Sequence, residues 1–308
     1  MPSEQDALTV TGLSYSYGTR KALRNVTFSV KAGTLFALLG PNGGGKTTLF
    51  RIASTLSSTD PGHVKVLGHD VAIEEAPIRK LIGVVFQSPS LDGQLTVREN
   101  LRCHGLLYGL YGDRLESRIR TSLALVGLAE RSSDLVRNLS GGLQRRIELA
   151  KAWLPDPRIL ILDEPSTGLD PGARREIWNH LDRLRREHGT SIILTTHLMD
   201  EAARSDQVAV LHHGQLVALG SPQELVNEVG GDVILISSRD VDRLATAIRE
   251  QLHQRVDVLD GQLRIERPHG HKFIAELVEM FPDEIEAITF GKPSLEDVFL
   301  HHTGQPWN

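Results

Sequence analysis

Gly40-Pro41-Asn42-Gly43-Gly44-Gly45-Lys46-Thr47 satisfies the pattern G-x-x-x-x-G-K-[ST] at every fixed position. Glycines let a backbone curl so that successive N–H groups point into one concavity, a nest for anions. A helix starting near Lys46 would add the partial positive charge of its N-terminus, about half an elementary charge. In such a loop the Lys46 ammonium reaches the outer phosphates of a nucleoside triphosphate, and the Thr47 hydroxyl can ligate Mg²⁺. A second chemical signal lies further on, at Ile159-Leu160-Ile161-Leu162-Asp163-Glu164. A buried strand ending in a carboxylate sets Asp163 beside the phosphate loop, where it can hold the hydration shell of the metal. Glu164, one residue on, can polarise an attacking water, and general-base help of that kind is worth about 10²–10⁴-fold in rate.

These groups need elements to position them, and the sequence supplies candidates. Thr34 to Leu39 is a short apolar run that stops at Gly40, and a helical pattern begins at Lys46. Ile82 to Phe86, Ile159 to Leu162, Ile192 to Thr196 and Val208 to Leu211 are further continuous apolar runs. Such runs fit strands buried on both faces of a parallel sheet, with helices between them. Thr9 to Tyr17 and Val26 to Val30 alternate instead, as half-exposed strands do. Strand signals vanish over about 88–140, where Thr96-Val97-Arg98-Glu99 reads as a capping box and Ile119 to Val126 keeps the helical period. The expected class is α/β: a parallel-sheet core with an antiparallel β edge and a helical insertion. A second unit is expected over 229–308, after a first over 1–228. Its order, strand (Val233 to Ile236), helix, strands at Arg255 to Val258 and Gln262 to Ile265 around an Asp260-Gly261 turn, helix (Phe273 to Phe281) and strand (Ile285 to Phe290), suggests a small ferredoxin-like α+β domain. One face of its first helix carries Val241, Leu244, Ala245, Ile248 and Leu252.

Composition sets the outer limits. At roughly 150 residues per domain, 308 residues suit two domains. With 40% hydrophobic and 24% charged residues the chain is not disordered, collagen-like or a small disulfide scaffold. A net charge of −5 offers no basic field for nucleic acid. The single cysteine, Cys103, cannot form an intrachain disulfide, which suits a reducing cytosol. Its place on a helical pattern points to packing rather than to a nucleophile. No apolar run approaches the ~20 residues of a membrane span, and residues 1–6 show no signal-peptide pattern.

Further segments resemble one family, the ATP-binding subunits of ABC transporters. Leu139-Ser140-Gly141-Gly142-Leu143 looks like its signature LSGGQ, Gln87 like the Q-loop glutamine, and Ser166-Thr167-Gly168-Leu169-Asp170 like the D-loop. His197 looks like the switch histidine, and Tyr17 like the aromatic residue that stacks on adenine. The resemblance covers roughly residues 7–228, with all segments in the family's order. It implies a P-loop ABC cassette that binds ATP at Tyr17, at Gly40 to Thr48, and at Ser140, Gly141, Gly142 and Asp170. Mg²⁺ is implied at Thr47, Gln87 and Asp163, and catalysis at Glu164, His197 and Gln87. It also implies a head-to-tail dimer, homodimeric or with a related subunit, in which each ATP lies between one phosphate loop and the partner's signature. Ser140 as the N-cap of a helix with Leu143, Ile147, Ala150 and Leu154 on its apolar stripe would make a second anion site. Two positions depart from the family pattern: Leu143 replaces the usual glutamine, and Gly44 stands where alanine is commonest.

The tail, Pro293-Ser294-Leu295-Glu296-Asp297-Val298-Phe299-Leu300 with Thr303-Gly304, resembles the daunorubicin-resistance type of exporter ATPase. The function implied is ATP hydrolysis that drives export through a separate transmembrane permease. The chain would then sit on the cytoplasmic face of the membrane, with the helical insertion as its contact and no nucleic-acid partner. The rival is a soluble ABC switch acting on a ribosome or DNA. One cassette, no heptad run and an acidic balance speak against it. Tyr15 shares a strand face with Tyr17, and Tyr17 is the preferred adenine platform. His212-His213, His301-His302, and His269 with His271 read as solvated loop histidines rather than metal ligands.

Overall fold

The computed structural model describes residues 6–259 and 261–307, which divide into two compact units at the Leu219–Gly220 junction. In chain order the first holds β1 (Asp6–Tyr17), β2 (Arg20–Lys31), β3 (Leu35–Leu39), α1 (Lys46–Ala53), β4 (Val64–Val66), β5 (His69–Asp70), α2 (Glu75–Leu81) and β6 (Ile82–Val85). It continues with α3 (Val97–Leu107), α4 (Gly112–Leu125), α5 (Gly141–Trp153), β7 (Ile159–Asp163), α6 (Pro171–His188), β8 (Ser191–Thr196), α7 (Met199–Ala202), β9 (Gln207–His212) and β10 (Gln215–Gly220). The second holds α8 (Pro222–Val229), β11 (Asp232–Ser238), α9 (Val241–Leu252), β12 (Asp257–Leu259), β13 (Gln262–Arg267), α10 (Gly270–Met280), β14 (Ile285–Gly291) and α11 (Leu295–Thr303).

Two sheets form the first unit. The larger runs β10-β9-β3-β8-β7-β6, and its pairings from β9 to β6 are parallel. β3, β7 and β8 are buried at every residue, which is why their sequences are apolar without alternation. The smaller sheet runs β2-β1-β4-β5 and is antiparallel. Its buried side chains, among them Val10, Leu13, Val26 and Phe28, meet Phe36 and Leu38 of β3 and Leu49 and Phe50 of α1 in one core. The Phe28 and Phe36 rings stack there with centroids 5.2 Å apart. β4, β5 and β10 were not foreseen: at two to six residues with half-exposed polar positions they carry almost no period of their own.

Register decides the site. Leu39 pairs with Thr196 and Asp163 with Thr195, so the ends of β3, β7 and β8 lie side by side. The glycine-rich loop, the Asp163-Glu164 pair and His197 therefore leave the same edge of the parallel sheet, where α/β folds hold ligands. The helical insertion is α3, α4 and the start of α5, which pack on one another. Thr96 and Glu99 form the expected capping box on α3. Cys103 is exposed on α3, so it does not pack as expected. The helix turns its other side inward, burying Val97, Leu101 and Gly105.

In the second unit the sheet order is β12-β13-β11-β14, antiparallel throughout, with the β-α-β-β-α-β sequence of a ferredoxin-like sandwich. Leu244, Ala245 and Ile248 of α9 and Phe273 and Leu277 of α10 share its core with Ile234, Ile236, Leu263 and Ile265. The β12–β13 connection passes through residues 260 and 261; Gly261 has φ +75°, and Asp260 lies outside the described residues. β12 starts two residues later than expected, at Asp257.

The expected boundary at 229 is displaced to Gly220 because α8, capped by Ser221 and Glu224, packs on α11. α11 is the tail motif itself, and it buries Leu295, Val298 and Phe299. His301 and His302 lie on α11, His271 on α10 and His212 at the end of β9, so these are not the loop histidines the sequence suggested. Among the described residues, no helix is long and apolar enough to cross a membrane.

Candidate functional site

The loop after β3 is held so tightly that Gly40 and Gly45 have no room for a side chain. A Cβ on Gly40 would stand 2.4 Å from the Leu211 carbonyl oxygen. On Gly45, whose φ is +107°, it would meet the Ala22 oxygen at 2.8 Å. Gly44 is less confined: its Cβ would lie 3.0 Å from Pro41 O and 3.1 Å from Leu211 O. An alanine there needs its neighbours to yield by a few tenths of an ångström, so the departure at Gly44 fits this chain's own packing. Gly44 N–H donates to Pro41 O at 3.1 Å, and Gly44 O accepts from Gly214 N–H at 3.0 Å.

Lys46, at the start of α1, is 4% exposed and donates from Nζ to Gly40 O at 2.6 Å and Pro41 O at 3.1 Å. Burial pushes its pKa down, while the charges of Glu164 and Asp163 pull it back up. Asp163, 5% exposed, accepts from Thr195 Oγ1 at 2.5 Å. Desolvation is the main reason its pKa is raised.

Glu164 is the point where the groups converge. Its φ of +46° is a strained value for a non-glycine residue, worth about 1–3 kcal/mol, and such strain gathers at functional sites. Its N–H donates to Thr195 O at 3.2 Å and Thr195 Oγ1 at 3.1 Å. Its Oε2 accepts from Gln87 Nε2 at 3.3 Å and from Thr167 Oγ1 at 3.1 Å. Its Oε1 lies 3.2 Å from His197 Nδ1 and 3.9 Å from Lys46 Nζ. Beside this carboxylate opens a cavity of about 460 Å³, lined by Asn42, Gly43, Gly45, Lys46, Thr47, Thr48, Gln87 and Glu164 and by Tyr17 at the end of β1. Tyr17 is 49% exposed, whereas Tyr15 packs on the core, which separates the two tyrosines.

Ser140, Gly141, Gly142 and Asp170 do not line that cavity. Ser140 caps α5 as expected, its Oγ accepting from Leu143 N–H. Ile147, Ala150 and Leu154 of the expected stripe are buried, and Leu143 is half-buried. Gly142 lets α5 start against α6, since a Cβ would come 2.7 Å from Ala173 Cβ. Asp170 spends its carboxylate as the N-cap of α6, accepting from Gly172 N–H at 2.9 Å and Ala173 N–H at 3.0 Å. Gln144 donates to Val136 O and Leu139 O, holding the turn that leads into α5.

Sequence reading missed Arg20, Ala22 and Arg51, which also line the cavity, and Thr195, which orders both acids. Arg20 pairs across the hairpin with Tyr17, so a cation opposite an exposed aromatic at a glycine turn was the available signal.

A family model described as ABC transporter matches residues 23–167. The chain is 36% identical over 304 residues to the daunorubicin resistance ATP-binding protein DrrA3 of Streptomyces coeruleorubidus, covering 97% of this chain and 96% of that one. It is 38% identical over 310 residues to the Nod factor export ATP-binding protein I of Rhizobium sp. (strain N33), covering 97% of each. It is also similar to a solved dimeric ATP-binding cassette in a post-hydrolysis state bound to ADP and Pi. That match has a TM-score of 0.63 and 27% identity, covering 70% of this chain and 98% of that one. Relatives alike from end to end are ATP-binding proteins of resistance and export, which favours transport over a ribosome- or DNA-acting switch. With the phosphate loop, the acid pair and these likenesses together, the chain belongs to the ATP-binding proteins of ABC transporters and is an ATPase of the branch shared with those relatives.

Proposed function

We propose that this chain hydrolyses ATP in the cavity beside Glu164 and couples that step to export through a separate transmembrane permease. The observation that carries the reading is the convergence of Lys46, Gln87, Thr167 and His197 on the one Glu164 carboxylate. Tyr17 stacks on the adenine, the Gly40 to Thr48 loop cradles the phosphates, and Lys46 exchanges its loop carbonyls for phosphate oxygens. Glu164 accepts the proton of the attacking water, and His197 steadies the γ-phosphate end. The Thr47 hydroxyl, the Gln87 amide and the Asp163 carboxylate are hard oxygen donors of the kind Mg²⁺ takes, and the ion neutralises phosphate charge when bound. Ser140, Gly141, Gly142 and Asp170 serve the ATP of a second subunit, which fits their place outside the first cavity. Leu107, 84% exposed, and Tyr111 support the insertion as the permease contact at the cytoplasmic face of the membrane.

Glu164→Gln tests the reading. Steady-state phosphate release should fall about 10²–10⁴-fold, while an ATP-bound dimer accumulates in size-exclusion chromatography. Near-normal turnover would remove Glu164 as the base.

A further inference from the structure

Arg145 lies on α5 one turn beyond the signature serine and is only 9% exposed. A guanidinium carries five N–H donors in a fixed planar fork. This one spends them on three separate segments. Nε donates to Pro165 O at 2.7 Å, and Nη2 donates to Asp163 O and Glu164 O, both at 3.1 Å. Nη1 donates to Phe86 O at 2.5 Å and to Glu148 Oε2 at 2.8 Å. Three consecutive carbonyls at the end of the catalytic strand are thus gripped together with the carbonyl just before Gln87.

Glu148 extends the grip. Its Oε1 accepts from Ser90 N–H at 2.6 Å and Ser90 Oγ at 3.1 Å, so the segment containing Gln87 is tied to α5 at both ends. The middle carbonyl held by Arg145 belongs to Glu164, the residue with φ +46°. A left-handed glutamate persists only where its surroundings over-determine it. Arg145 on one side and Thr195 on the other do that here.

We propose that Arg145 is a positioning residue: it fixes the Glu164 carboxylate and Gln87 relative to the signature helix, so that a shift of α5 is transmitted to the base. The proposal rests on Glu164 as base. Arg145 does not itself line the cavity and meets Glu164 and Asp163 only through their backbone carbonyls, so its effect is on the hydrolytic step and not on ATP affinity. A displacement of about 1 Å in a catalytic group can cost about 10²-fold in rate.

Arg145→Lys is the test, made in the full chain with and without Glu164→Gln. Lysine keeps the charge but has one point of donation and cannot span carbonyls on two segments while also holding Glu148. Expected are a kcat fall of about 10²-fold and a KM and fluorescent-nucleotide Kd within about threefold of wild type. In the Glu164→Gln background the same change should lower the residual rate by less than about threefold, because a group that acts through Glu164 has nothing left to act on. An equal fall in both backgrounds, a kcat near wild type, or a loss of ATP affinity would overturn the proposal. If Glu164→Gln alone turns over normally, it is the base assignment that fails.

Should Arg145→Lys not fold, Glu148→Gln carries the test, since it weakens the clamp while leaving every backbone acceptor in place. A several-fold lower kcat at unchanged ATP affinity supports the coupling, and an unchanged kcat overturns it.

Discussion

The chemistry of this site is set at individual residues by lack of room. Gly40 is glycine because the backbone of β9 passes within 2.4 Å of where a side chain would begin. That obstacle is a carbonyl, which cannot swing aside as a flexible side chain could. Gly40→Ala should therefore displace the loop, lowering stability by about 1–3 kcal/mol and weakening ATP binding at least tenfold. Gly44→Ala, with contacts of 3.0 Å and longer, should leave ATP binding within a few-fold of wild type. Nucleotide titration and urea denaturation of the two variants check this, and equal behaviour would refute it. The strained backbone of Glu164 belongs to the same scale: its own N–H and carbonyl are both engaged, to Thr195 and to Arg145.

Among the elements, the helical insertion has its own acid sensitivity. His104 on α3 packs beside the Tyr108 ring, with centroids 4.9 Å apart. Burial, helped by the charge of Lys151, pushes its pKa down to about 4. The folded chain thus prefers the neutral imidazole, whereas the unfolded chain takes up a proton below about 6.5. Between those values the unfolded state binds more protons, so stability is intact above about pH 6.5 and is lost as the pH falls toward 4. At about 1.4 kcal/mol per unit of separation, the full effect is about 3.5 kcal/mol. His104→Gln should flatten this limb: between pH 7 and pH 4.5 its urea midpoint should fall less than that of wild type. An equal fall would show that other groups carry the acid sensitivity.

For the whole molecule, the two anion sites of one chain do not share a cavity. The loop, Gln87 and Glu164 surround one, and Ser140 opens a helix elsewhere. In the proposed head-to-tail arrangement a second cassette, a copy of this chain or a related subunit, completes the site. Ser140→Asp keeps an N-cap oxygen for α5 but sets a negative charge against the partner's ATP. It should bind ATP as a monomer with a Kd near wild type while losing ATP-dependent dimerisation, and with it about 10²-fold of the hydrolysis rate. Analytical ultracentrifugation with and without ATP decides it. A weaker monomer Kd would place Ser140 in its own chain's site.

Much of this was legible in the sequence for a local reason. The glycine-rich loop, the continuous apolar strands, the capping box at Thr96 and the period of α9 each follow from steric and burial rules acting over a few residues. The five core strands of the parallel sheet and the β-α-β-β-α-β order were read this way. The tertiary structure decided what depends on residues far apart in the chain. It paired Asp163 with Thr195, brought Gln87 and His197 onto one carboxylate, and chose Tyr17 over Tyr15. It also moved the boundary to Gly220 and enclosed Arg145 among carbonyls up to 59 residues away. The sequence lists donors and acceptors, and a sheet register assigns them to one another.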